Sequence, residues 1–61
     1  MTYKIISKNT KKTVAKCKEL VLAKAWIISN KRFDDEFIVE EIDNYGNTVR
    51  KWEMYEIVSH L

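Results

Sequence analysis

Cys17 and His60 are the sole thiol and the sole imidazole of this 61-residue chain, so they are the first pair to weigh for chemistry. A cysteine nucleophile needs a base within hydrogen-bond reach, and His60 falls in Ser59-His60-Leu61, a stretch expected to fray. Cys17 therefore reads as a buried structural thiol. One cysteine and one histidine also fall short of the four ligands of a zinc site. Carboxylates cluster as Asp34, Asp35, Glu36, Glu40, Glu41 and Asp43, residue types that serve as general acid and base or hold a hard cation. Asp43-Asn44-Tyr45-Gly46-Asn47 lacks the later bidentate acid of a calcium loop, so these acids read as a solvated loop and strand face. Gly46 is the only glycine, which leaves no glycine-rich phosphate loop and no nucleophile elbow. The chain is read as non-enzymatic, with no catalytic residue, metal or cofactor.

Charge is the stronger signal. Residues 1 to 32 carry nine Lys or Arg against one acid, Glu19, whereas residues 33 to 61 carry eight acids against Arg50 and Lys51. Such a split hints at nucleic acid or another charged partner, or else at two halves that pair in one sheet and neutralise each other. Lys4, Lys8, Lys11, Lys12, Lys16 and Lys18 form a basic stripe if the first segment is a hairpin, and they are the candidate nucleic-acid contacts. Lysine point charges suit nonspecific attraction to phosphates more than base reading. Tyr3 is the one aromatic beside this run, so a base-stacking platform is not expected.

Length makes this a single small domain, residues 1-61, and a chain of this size buries only roughly 60% of its unfolded surface. A lone cysteine can form no internal disulfide, so a partner or self-association is expected as a further source of stability. An unpaired thiol, together with apolar runs far too short to span a bilayer, suggests a cytoplasmic protein with no membrane partner. Proline is absent, which argues against a linker segment.

The positioning elements follow from periodicity. Tyr3-Lys4-Ile5-Ile6-Ser7 reads as a first strand, ended by Lys8-Asn9-Thr10-Lys11-Lys12. Thr13 to Cys17 either returns as a second strand or opens a long helix with Val14, Cys17, Val21, Ala25 and Ile28 on one face, and the hairpin is favoured. Glu19 to Ser29 is helical in both cases, with Leu20, Ala23 and Ile27 on one flank, Leu22 and Trp26 beside it, and Asn30 closing it. Phe33-Asp34-Asp35 then leads to a second hairpin reversing at Asp43 to Asn47. A four-residue loop sets Glu41 against Arg50, Val39 against Trp52 and Phe37 against Met54. A three-residue loop, Asn44-Tyr45-Gly46 with a glycine bulge, sets Ile38 against Trp52 instead. The first register is preferred for its apolar matching, with the strand continuing past Trp52 to Val58.

The expected fold is α+β, a small antiparallel sheet (ββαββ, alternatively βαββ) with one helix on one face. The other face is then solvated, and Tyr3, Trp52 and Tyr55 are the candidate patch on it. Trp26 and Trp52 read as core or interface anchors. The expectation is a protein-interaction module, self-association into a homodimer included, that uses the open sheet face or an edge strand. The alternative is weak nonspecific nucleic-acid binding through the lysines. In overall composition the chain resembles the small accessory proteins of phages and mobile elements, with no motif carrying the likeness residue by residue.

Overall fold

A computed structural model describes residues 1–32 and 34–60, with His60 described in its backbone alone. The expected connector residue Phe33 and the expected frayed end Leu61 lie outside the described residues. Strands β1 (Thr2–Ser7) and β2 (Thr13–Cys17) form the favoured hairpin, so residues 13–17 do not open a helix. Its loop is held by the Ser7 N–H on the Lys12 carbonyl at 3.0 Å and the Lys11 N–H on the Ser7 carbonyl at 2.7 Å. Lys11 completes the reversal at φ 60. The register shifts between Ile5, opposite Ala15, and Ile6, opposite Thr13, so β2 carries an extra residue at Val14.

Helix α1 (Leu20–Asn30) crosses to the second hairpin. Its Asn30 side chain donates to the Trp26 carbonyl at 2.8 Å, and Lys31 leaves in extended conformation, so the helix closes without the left-handed residue expected at Asn30. Ala23 and Ile27 are completely buried, and Leu20 and Trp26 pack beside them, as the Leu20, Ala23, Ile27 spacing requires. Strand β3 (Phe37–Ile42) pairs with β1 along its whole length, from Thr2 opposite Ile42 to Ser7 opposite Phe37. Strand β4 (Thr48–Glu53) pairs with β3, giving the antiparallel order β2-β1-β3-β4.

The second hairpin uses both expected geometries in succession. At the tip, Asp43 and Asn47 close a three-residue loop, with Gly46 at φ 87 and the Asp43 N–H on the Asn47 carbonyl at 2.9 Å. The register then shifts between Glu41 and Ile42, adding a residue to β4 at Val49. That extra residue brings Glu41 opposite Arg50 and Val39 opposite Trp52, the preferred pairing. Turn chemistry and apolar matching are both satisfied because the bulge absorbs the one-residue difference.

The expected continuation of β4 to Val58 is replaced by a second helix, α2 (Met54–His60). Strand alternation would send Met54 and Ile57 to opposite faces, whereas helical spacing by three puts both against the core, where Ile57 is fully buried. Glu56 reaches back so that its Oε1 accepts the Glu53 N–H at 3.2 Å, the glutamate half of a capping box. The expected ββαββ sheet with one main helix, α1, is thus observed, and the short α2 adds to the cover on the same side. The two helices enclose a core of Ile5, Ala23, Ile27, Phe37, Val39 and Ile57, with Trp26 edge-on to Phe37 at 5.4 Å between ring centroids.

Two outcomes test the turn. A Cβ at Gly46 would meet nothing within 4 Å, so Gly46→Ala isolates the backbone strain of its positive φ and should destabilise the fold by about 1 kcal/mol in urea unfolding. Asp43 Oδ1 accepts the N–H groups of Asn47 and Tyr45, each at 2.9 Å, and these bonds, Asn47 first, hold its carboxyl below the usual aspartate range. The folded pKa being depressed, Asp43 stabilises the fold above its unfolded pKa of about 3.9, and the contribution is lost as pH falls through the folded value. Urea midpoints measured from pH 5 to 2 should fall less steeply in Asp43→Asn, which keeps an acceptor oxygen but cannot titrate.

Candidate interaction surfaces

Strand alternation sorts the side chains into two populations. On the helix side, one row across the sheet reads Ala15, Ile5, Val39, Trp52 and the next reads Cys17, Tyr3, Glu41, Arg50. Tyr3 and Trp52 thus pack against the core beneath the helices instead of lying on the uncovered face. Tyr55 stands apart on α2 and is 67% exposed. The three aromatics do not assemble into one patch, because the preferred pairing of Trp52 with Val39 carries Trp52 to the covered side.

Local partners explain why this row tolerates polar groups. The Arg50 guanidinium lies 3.7 Å from the centroid of the Trp52 ring, a cation–π contact that also shields the indole. The Trp52 Nε1 is buried with no acceptor among the described residues. Burial first, and then the Glu41 carboxylate, raise the Tyr3 phenol above its ordinary pKa. Cys17 is a free, half-buried thiol in the same row. The His60 side chain lies outside the described residues, so the Cys17–His60 pairing has no geometry to assess.

The open face divides the candidate lysines. Lys8 Nζ sits 2.9 Å from Glu53 and 3.9 Å from Glu36, and its pKa is raised chiefly by the bond to Glu53. These groups line a half-open cleft of about 300 Å³ with Phe37, Met54 and Tyr55. A lysine acting as base or nucleophile needs a lowered pKa, so the cleft carries a structural ion pair. The next row reads Lys16, Lys4, Glu40, Lys51 across all four strands. Glu40 serves Lys51 at 3.8 Å and accepts from the Thr48 hydroxyl at 3.5 Å. Lys11 and Lys12 sit at the hairpin tip and Lys18 lies between β2 and α1, all exposed. The two halves of the chain therefore meet and partly neutralise at the β1–β3 seam, leaving the β2 side basic. Among the described residues, no group of three or more His, Cys, Asp or Glu is placed to hold a metal ion, and no helix is long and apolar enough to cross a membrane.

The outer side of α1 is the third surface. Lys24 is the single charged residue within the helix, and apolar side chains surround its axis. Val21, Ala25 and Ile28 recur at four and three residues and so share one stripe, flanked by Leu22. Val21 is 57%, Leu22 50% and Ile28 58% exposed. The spacing of Val21, Ala25 and Ile28 was visible in the sequence as one face of a longer helix; once residues 13–17 form a strand, the same stripe faces outward. The chain matches no family model, no curated protein and no solved structure.

Arg50 offers a direct test of the Trp52 environment. In a Trp26→Phe background, where Trp52 is the only indole, Arg50→Ala should move the emission maximum to longer wavelength and raise acrylamide quenching. Unchanged emission would mean that the guanidinium does not shield the ring.

Proposed function

We propose that this protein is a non-enzymatic protein-interaction module of the cytoplasm, and that its contact surface is the outer stripe of α1, Val21, Leu22, Ala25 and Ile28. The observation carrying this reading is that α1 bears apolar side chains on its outer as well as its inner side, with Lys24 its one charge, while only the inner side is needed by the sheet. A helix of that composition is ordinarily buried on all sides, and a contiguous exposed apolar stripe is the common form of a protein-binding surface. The free Cys17 thiol fits a reducing compartment. This location differs from the open sheet face suggested by the sequence, since that face carries lysines and no aromatic ring. The modest core supports the same reading, because apolar area buried on association adds to fold stability by mass action.

The test pairs a surface change with a fold control. Val21→Ser combined with Ile28→Lys removes the stripe without touching the core, so the urea stability should move by no more than about 0.5 kcal/mol. Ile27→Ala, one residue away and fully buried, should cost about 2–5 kcal/mol. Sedimentation and capture from native lysate are then compared for the wild type and the stripe variant. An association that the variant loses while keeping its stability supports the proposal. A monomer at every concentration, with the same proteins captured by both chains, rules it out.

A further inference from the structure

We infer that the uncovered face of the sheet binds the phosphate backbone of a nucleic-acid duplex through Lys16, Lys4 and Lys51. The inference is independent of the α1 reading, because it concerns the opposite side of the molecule. Directly paired residues in an antiparallel sheet share a face, and the registers put Lys16 opposite Lys4, Lys4 opposite Glu40, and Glu40 opposite Lys51. Like charges directly opposite each other destabilise a strand pair, yet Lys4 and Lys16 are paired in this way at a sheet edge, and neither has a carboxylate within ion-pair distance among the described residues. An anion between them would relieve that repulsion. The row's one acid, Glu40, is engaged by Lys51 and Thr48, so the row as a whole carries a net charge of +2.

The form of the ligand follows from what surrounds the row. With strands about 4.8 Å apart, the lysine row spans ~14 Å across the four strands, longer than one phosphate and suited to several along a groove edge. Single-stranded nucleic acid is held largely by stacking on aromatic rings, and Tyr3, Phe37 and Trp52 all belong to the helix side. A duplex keeps its bases stacked internally and asks only for cations at its phosphates. Lysines without arginine on this face give attraction without base reading. Lys8, tied to Glu53 at 2.9 Å, drops out of the contact set read from the sequence, and Lys51 joins it, because its ammonium is only loosely held at 3.8 Å from Glu40 and its side chain is 66% exposed.

Anisotropy titration of a labelled mixed-sequence DNA duplex tests this at two salt concentrations. Three phosphate contacts predict a slope of log K against log salt near −2.7, hence an affinity about 40-fold lower at 200 mM than at 50 mM salt. Lys4→Gln with Lys16→Gln should bring the slope to about −0.9 and weaken binding at 50 mM, while its thermal midpoint holds or rises because the like-charge pair is gone. The stripe variant of α1 should bind the duplex as the wild type does. Any of three results would overturn the inference. These are no binding at 50 mM salt, binding lost in Lys11→Gln with Lys12→Gln but kept in the Lys4/Lys16 variant, and binding to phosphatidylglycerol vesicles in preference to the duplex.

Discussion

The β1–β3 ladder is the joint on which this molecule depends. Each hairpin is local and brings only one ladder of its own, and an isolated hairpin is marginal in water. Six consecutive pairs from Thr2–Ile42 to Ser7–Phe37 join them into one sheet, and at its centre Ile5 and Val39 are both fully buried. Everything above the sheet rests on this pair of strands. Ala23 and Ile27 of α1 and Ile57 of α2 close over the Ile5, Val39 and Phe37 side chains, and a slip by one residue along β1–β3 would put Ile5 on the opposite face from Val39 and Phe37, so that one strand or the other would lose its side of the core. The same joint sets Lys4 beside Glu40 and brings the Lys8 backbone N–H to the Glu36 carbonyl at 2.9 Å. Here the basic and acidic halves of the chain meet.

What could be read from the sequence and what could not divide along physical lines. The hairpins, α1 and its Leu20, Ala23, Ile27 flank were legible because each rests on short-range periodicity and turn residues. The pairings Glu41–Arg50 and Val39–Trp52 were legible because side-chain matching favours them. The bulge at Val49 was not, since it reconciles two turns that sequence reasoning treats as exclusive. Helix α2 was missed although Glu53-Met54-Tyr55-Glu56 carries a capping glutamate at the right spacing. The aromatic and β-branched residues after Trp52 read equally well as strand, and burial of Ile57 on the helix side decided the matter.

The surfaces were less legible than the fold for a related reason. Which side a strand residue faces depends on a register counted from distant pairings, so Tyr3 and Trp52 were assigned to the open face although the pairing carries both to the helix side. The lysines were individually obvious, but their partners were not. Lys8 is neutralised by Glu53, which lies far along the chain and approaches only because β4 returns beside β3, whereas Lys4 and Lys16 meet each other across the first hairpin. On α1 the recurrence of Val21, Ala25 and Ile28 was plain, and only the fate of residues 13–17 determined whether that stripe pointed into the protein or out of it.

The two irregular pairings have one more consequence. An open four-stranded sheet offers unpaired backbone groups along β2 and β4, and a flat strand at such a border invites copy after copy to add on. Both border strands carry an extra residue, at Val14 and at Val49, whereas the β1–β3 ladder between them is regular. An extra residue bends and twists its strand and interrupts the hydrogen-bonding row a newcomer would need. Growth by strand addition is thereby discouraged at both borders.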